Sequence, residues 1–261
     1  MKRLITILLF LPSLSHGQTI GGTIIVAVIG SDGIIICADS RTAMRDNKFN
    51  KIVAYWDNTQ KIFPIGKNYV IGFSGSASHN GIMMSEIIND FNVLNKDYTS
   101  TTNVKHSFLF YYNSRFPETD LRKQNVIMVI GYDNGTPSIS ALDMHGTDGT
   151  MHSGCIVSDA LAGSYFENCK SKLSCDELMK IIPPDIYKYV KEKHMRNLIG
   201  GSLCFIKIDK RTNSMSFVND YTTQQRTYYE LTDEIKNGKI KVHYLDKKFT
   251  QKDLLNALSK P

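Results

Sequence analysis

The sequence predicts an α+β fold, a four-layer αββα sandwich in which two antiparallel sheets pack together and carry helices on their outer faces. Two features predict it. Short apolar runs occur in pairs around Gly- or Asn-containing turns, and segments with helical spacing separate those pairs. The 261 residues, 42% hydrophobic, are enough for one sizeable core, so we expect a single domain.

Two β-hairpins are predicted between residues 24 and 74. The first turns at residues 30–33 and the second at residues 66–68, with short apolar runs on either side of each turn. Stacking the two hairpins brings the ends of their strands together. Those ends carry four groups of chemical interest: Thr23, Asp39, Lys61 and the Gly75 backbone.

These four groups can hydrolyse an amide if Thr23 begins the mature chain. The Thr23 hydroxyl would attack a carbonyl while its free α-amine, with a reference pKa near ~8, accepts the proton. A Lys61 ammonium beside that amine would keep it neutral, and Asp39 would keep Lys61 oriented and protonated. The Gly75 N–H, with no side chain beside it, suits an oxyanion hole.

The rest of the chain supplies the other layers. We expect helices at residues 76–94, 104–116, 163–169 and 175–193, the last bent or broken at Pro183 and Pro184. Strands are expected at residues 126–131, 137–142, 150–157, 201–208 and 214–218. Residues 42–60 are interpreted as a loop or short hairpin. The basic tail, residues 236–260, is interpreted as a strand pair and a short helix that form a solvated face or a subunit contact.

The N-terminus has the pattern of a secretory signal peptide at residues 1–17: Lys2 and Arg3, an apolar run at 4–11, then small residues before Gln18. That run is far shorter than the roughly twenty residues that span a bilayer. We therefore predict an exported protein, periplasmic or secreted, that does not span the membrane when mature. A soluble N-terminal strand is the alternative. Residues 18–22 would remain as a short pro-segment before a single domain at residues 23–261.

Composition argues against several classes of ligand. Loss of residues 1–17 removes two positive charges and no acid, which takes the net charge from +6 to +4, without the clustering expected for nucleic-acid binding. Neither the seven histidines nor the five cysteines have metal-site spacing, so we predict no metal and no cofactor. Export permits disulfides. Cys169 and Cys175 are near enough in sequence to pair, while Cys37 and Cys204 are expected to be buried thiols.

The motifs around Thr23 resemble those of the proteasome β-type subunits, which are N-terminal-nucleophile (Ntn) hydrolases. The resemblance rests on Thr23, Gly33, residues 38–41, Lys61 with Ile62, and residues 74–77, and it extends over residues 23–220. It implies the Ntn αββα fold and self-cleavage after Gly22, where two adjacent glycines can adopt a strained turn. It also implies a homo-oligomeric ring.

The resemblance also implies how a peptide or protein substrate binds. A substrate strand would lie between residues 41–43 and 74–77. Thr42, Phe73 and Ala77 would line an apolar, shallow pocket for the residue before the cleaved bond. No ATPase partner is expected, because the chain has no phosphate-binding loop and an exported location offers no ATP.

The sequence departs from the family pattern at three positions. Ala162 stands at the position of a family serine, and Ser164, two residues later, is our candidate catalytic serine. Arg196 and Ile199 replace an Asp and a Ser that support the threonine amine in the family. Two interpretations stay open beside the threonine peptidase: an inactive proteasome-like subunit or binding module, and an Ntn hydrolase of non-peptide amides.

Overall fold

The computed structural model describes residues 18–46, 51–94, 97–118, 125–142, 148–158, 164–169, 172–218 and 227–258. The predicted signal peptide and Ala162 lie outside the described residues. The strands are β1 (Gln18–Gly21), β2 (Ile25–Ile29), β3 (Gly33–Asp39), β4 (Thr42–Asp46), β5 (Lys51–Trp56), β6 (Ile62–Ile65), β7 (Tyr69–Gly75), β8 (Ser78–His79), β9 (Ile82–Met83), β10 (Asn125–Asp133), β11 (Thr136–Leu142), β12 (Asp148–Met151), β13 (Gly154–Val157), β14 (Leu203–Asp209), β15 (Met215–Phe217) and β16 (His243–Tyr244). The helices are α1 (Met84–Leu94), α2 (Thr101–Arg115), α3 (Cys175–Glu192), α4 (Tyr228–Lys236) and α5 (Gln251–Leu258).

Two five-stranded antiparallel sheets form the centre of the molecule. One has the order β13-β2-β3-β14-β15 and the other β12-β11-β10-β7-β6. Apolar residues from both sheets meet between them, including Ile25 and Ile36 from the first and Val70 and Met128 from the second. Because side chains alternate along a strand, the remaining apolar residues of each sheet face outward and need helices to cover them.

The helices cover both outer faces. Ile87 of α1 and Phe108 of α2 pack against the sheet that contains β7 and β10. Leu178 and Ile182 of α3 pack against the sheet that contains β2 and β3. This layer order confirms the predicted α+β αββα sandwich.

Several predicted elements differ from those observed. The helix expected from residue 76 begins at Met84, because Asn80 and Gly81 take left-handed backbone conformations (φ 47° and 74°) that turn β8 into β9. The single strand expected at 150–157 is two strands, β12 and β13, which belong to different sheets. In place of the helix expected at 163–169 there is a short 3₁₀ turn at residues 164–166. Helix α3 continues through Pro183 and Pro184, held against the sheet by its buried face.

A third sheet, of order β1-β4-β5-β16, joins residues 18–21, the strands β4 and β5, and one strand of the tail. Strands β4 and β5 pair antiparallel, which agrees with the hairpin alternative for residues 42–60. The strand pair predicted in the tail is wrong: one short strand, β16, pairs with β5 instead. Helices α4 and α5 bury Leu231 and Leu254 beside Trp56, so the inner side of the tail is part of the core.

All five cysteines are free thiols, so the considered Cys169–Cys175 bridge is absent. The Cys169 thiol contacts that of Cys155, and Cys175 packs at the start of α3 against the backbone at Gly33. Cys37 and Cys204 are buried, as predicted. Within the described ranges, no helix has the length and hydropathy of a membrane span, and no group of His, Cys, Asp and Glu side chains is arranged to hold a metal ion.

Candidate active site

The Asp39 carboxylate, at the end of β3, is the centre of the site. It is buried, and each of its oxygens accepts two hydrogen bonds. Oδ1 accepts from the Ile24 amide (2.9 Å) and Lys61 Nζ (3.1 Å). Oδ2 accepts from the amides of Arg41 (3.1 Å) and Gly200 (2.9 Å). Four donors on one buried carboxylate favour its ionised form.

Lys61 lies immediately before β6, with its side chain only 2% exposed. Its ammonium has three donors, and each has an acceptor: Asp39 Oδ1, the Arg41 carbonyl and the Gly22 carbonyl, the last at 2.7 Å. An ammonium held in this way is fixed in position and delivers positive charge to the carbonyl of Gly22.

Burial perturbs both members of the Asp39–Lys61 pair. It raises the pKa of Asp39, against the lowering influence of Lys61 and the backbone donors. It lowers the pKa of Lys61, against the raising influence of Asp39. Each group is therefore held in its charged form by the other, and removal of either leaves a buried charge without its partner.

The Gly22–Thr23 peptide bond lies at the end of this network. The Thr23 hydroxyl donates to the Gly22 carbonyl oxygen, the same atom that Lys61 contacts. Ser74 Oγ donates to the Thr23 carbonyl at 2.9 Å. Gly75, the next residue in the chain, ends β7 with a φ of 132°, a conformation that favours glycine. The structure thus brings Thr23, Lys61 and Asp39 together. Gly75 directly follows Ser74, whose hydroxyl contacts the Thr23 carbonyl.

At position 22, only glycine fits without a rearrangement of the surrounding residues. Its φ is 100°, and a Cβ atom added there would lie 2.5 Å from Leu198 Cδ1 and 2.8 Å from the Leu198 carbonyl oxygen. The bond before Thr23 therefore carries a left-handed backbone against a packed neighbour.

Residues 18–21 occupy the edge of β4. Strand β1 pairs antiparallel with it, with Gly21 opposite Ala43 and Ile20 opposite Met44. Strand β1 thus lies beside residues 42 and 43, part of the segment where a substrate strand was predicted to lie.

The predicted pocket residues are all buried. Thr42 begins β4, and its hydroxyl has no hydrogen-bond partner among the described residues. Phe73 of β7 stacks on Phe63 (centroids 6.0 Å apart) in the cluster beneath α1. Ala77 packs with Trp56 in the cluster formed by α4 and α5. Phe73 and Ala77 thus belong to two different apolar clusters, and Ser74 and Gly75 lie between them in the sequence.

Ser164 is exposed at the start of the 3₁₀ turn, and residues 159–163 before it are outside the described ranges. The serine that contacts the strand after Thr23 is Ser158: its Oγ accepts from the Ile25 amide, and its own amide donates to the Ile25 carbonyl, both at 2.9 Å. Sequence reasoning missed it. Its place directly after β13 was the available signal. A catalytic role for Ser164 stays a prediction.

Residues 196–201, where Arg196 and Ile199 replace the Asp and Ser of the family pattern, still contact Asp39. Gly200 donates to Asp39 and accepts from the amides of Ser40 (3.1 Å) and Arg41 (2.9 Å). The Arg196 carbonyl accepts from the Arg41 guanidinium, and Ile199 is buried beneath α3. The segment's backbone thus makes contacts that do not depend on the side chain at position 196.

Residues 20–197 match the family model of the proteasome subunits. The chain belongs to the proteasome subunit family. The match confirms the resemblance found around Thr23, and it begins inside β1 and ends just before Leu198. Among curated proteins, none matches the chain significantly. In this proteasome-family chain, Gly200 and the two C-terminal helices lie beyond the matched residues.

Proposed function

We propose that this protein is an exported threonine-type peptidase of the proteasome family that activates itself by cleaving the Gly22–Thr23 bond. One observation carries the proposal. The Gly22 carbonyl oxygen accepts from Lys61 Nζ at 2.7 Å and from the Thr23 hydroxyl, and Lys61 is held by the buried Asp39. The carbonyl that must be attacked is therefore polarised by an ammonium and lies against the nucleophile.

In the proposed activation, Thr23 Oγ bonds to the Gly22 carbonyl carbon as its O–H bond breaks, the proton passes directly or through water toward the Thr23 nitrogen, and negative charge develops on the oxygen that faces Lys61. The C–N bond to Thr23 breaks as its nitrogen takes up the proton that the hydroxyl lost, which leaves an ester between Gly22 and the Thr23 oxygen. Water hydrolyses that ester. The products are the carboxylate of Gly22 and a chain that begins with the free amine of Thr23.

The mature site would use the same groups on a substrate amide. The freed Thr23 amine takes the hydroxyl proton, and Lys61 stays protonated because Asp39 accompanies it in the dry interior. A substrate strand would add to the edge of β4, where backbone hydrogen bonds give affinity and side-chain pockets give specificity. The pairing of β1 on that edge supports this binding mode.

We expect cleavage after apolar or small residues, because Phe73 and Ala77, the residues that the family resemblance places at this pocket, are apolar and carry no charge. A library of fluorogenic peptides that vary only in the residue before the cleaved bond measures this preference. Cleavage confined to peptides with acidic or basic residues there would contradict it.

Export and ring assembly belong to the same proposal. The signal-like residues 1–17 support export, and family membership supports a homo-oligomeric ring that restricts access to its active sites. Two mass measurements on the protein from the exported fraction test the proposal. The mass of the single chain identifies its first residue, and the mass of the native assembly gives the number of subunits. An exported chain that begins at Thr23 is expected. A chain that still begins at Gln18 would favour the inactive subunit.

Gly22→Ala is expected to slow self-cleavage at least about tenfold, since a left-handed alanine costs roughly 1–2 kcal/mol and its Cβ would overlap Leu198. The fraction of cleaved chain, followed by intact mass over time, measures the rate. Gly135→Ala is the matched control, because Gly135 also has a positive φ (81°) but has nothing within 4 Å of an added Cβ. Equal cleavage rates in Gly22→Ala and wild type would mean that cleavage does not depend on the left-handed conformation of Gly22.

A further inference from the structure

The segment at residues 196–201 supports Asp39 although its own side chains do not. It carries Arg196 and Ile199 at the two positions where the family pattern has polar support. What reaches Asp39 is the Gly200 amide, at 2.9 Å. The position of that amide therefore depends on whatever holds the segment in place from outside.

Arg41 holds it. The Arg41 guanidinium donates to the Arg196 carbonyl and lies beneath Gly200, where an added Cβ would be 2.8 Å from its central carbon. The amide of Arg41 also donates to the Gly200 carbonyl. One residue thus contacts both ends of the segment, with its guanidinium packed 4.0 Å from the centre of the Tyr55 ring.

Asp57 holds Arg41. Its two carboxylate oxygens accept from Nε (2.7 Å) and Nη2 (2.9 Å) of Arg41, the two-point geometry that fixes the plane of a guanidinium. Asp57 follows β5, and its loop is tied back by the Thr59 amide, which donates to the Ser40 carbonyl at 3.0 Å. Gly201 passes close to Asp57: an added Cβ there would lie 3.0 Å from the Asp57 carboxyl carbon.

We infer that Asp57 is a positioning residue of the proposed peptidase: through Arg41 it fixes the 196–201 segment so that the Gly200 amide stays on Asp39. The inference rests on the proposed function. In this chain an acid from the loop after β5 thus keeps a backbone donor of the segment on Asp39, although neither the Arg196 nor the Ile199 side chain provides a polar contact there. Asp57 touches no reacting atom.

Electrostatics supports the same role. The charged groups that face Lys61 are Asp39 at the end of β3, Arg41 between β3 and β4, and Asp57 after β5, together with the Thr23 amine once it is freed. Arg41 lowers the pKa of Lys61, and Asp57 raises it. Removal of the Asp57 charge would therefore leave the Arg41 charge uncompensated and lower the pKa of Lys61 further.

Asp57→Asn tests the inference in two experiments. The first follows amide hydrogen exchange in a Thr23→Ala background, where no cleavage is required. We expect the Gly200 amide to exchange at least about tenfold faster in Asp57→Asn. Asp246→Asn is the matched control, since it removes a different ion pair, with Lys51, from the same sheet and should leave Gly200 unchanged.

The second experiment measures self-cleavage with Thr23 present. We expect Asp57→Asn to slow it about 10- to 100-fold, and to move the alkaline limb of its pH profile to lower pH, because neutral Lys61 no longer polarises Gly22. Asp57→Glu should restore part of the rate. Arg41→Lys should match Asp57→Asn, because lysine cannot make the two-point contact and the third bond together.

The outcomes separate the inference from the proposed function. Unchanged Gly200 exchange in Asp57→Asn overturns the inference, and so does a wild-type cleavage rate with an unshifted pH profile. If even the wild-type chain is never cleaved, the proposed function fails, and the exchange measurement alone then decides whether Asp57 holds the segment.

Discussion

Thr23→Ala is expected to leave the pro-segment attached and to abolish peptide hydrolysis, a loss of roughly 10³-fold or more. The change removes the hydroxyl that lies against the Gly22 carbonyl, and with it the group that would perform both the proposed self-cleavage and the proposed attack on a substrate. Intact mass and N-terminal sequencing of the exported protein measure the first effect. Hydrolysis of a fluorogenic peptide measures the second.

Thr23→Ser is the control for this substitution, because it keeps a hydroxyl in the same place and should still yield a chain that begins with residue 23. A Thr23→Ala chain that also begins at residue 23 would mean that another protease performs the cleavage. Wild-type and variant chains that both begin at Gln18 would make the inactive subunit the better interpretation.

Asp39→Asn is expected to lower the free energy of unfolding by about 3–5 kcal/mol, because it leaves the Lys61 ammonium buried without its counter-charge. Denaturant unfolding measures the change. All chains carry Thr23→Ala, so that every protein compared has the same N-terminus. Asp39→Asn combined with Lys61→Met should recover part of the loss, since the unpaired charge is then gone.

Asp246→Asn again serves as the comparison, because the Lys51–Asp246 pair is far more exposed than the Lys61–Asp39 pair. Its effect on stability should be small. If Asp39→Asn proves equally mild, the pair is not the buried, mutually dependent unit described above, and its role in holding Lys61 against Gly22 loses support.

The sequence by itself determined the layers and the centre of the site. Both are set by short-range signals: paired apolar runs around turns, and residues at the ends of adjacent strands. Thr23, Asp39 and Lys61 lie at such ends, so stacked hairpins bring them together. The boundaries of the elements were predicted less well. The helix expected from residue 76 begins at Met84, because Asn80 and Gly81 adopt left-handed backbone conformations.

Only the tertiary structure decided which groups complete the site. Strand β1 pairs with β4, and β16 from the far end of the chain pairs with β5, because exposed strand edges accept partners without regard to sequence distance. The Gly200 amide reaches Asp39 over 161 residues, and Asp57 is linked to Gly200 through Arg41. Sequence motifs record side chains, whereas this support is made by backbone groups and by an ion pair whose members lie in different loops. The sequence therefore shows that Arg196 and Ile199 replace an Asp and a Ser, but it does not show that the backbone of the same segment still contacts Asp39.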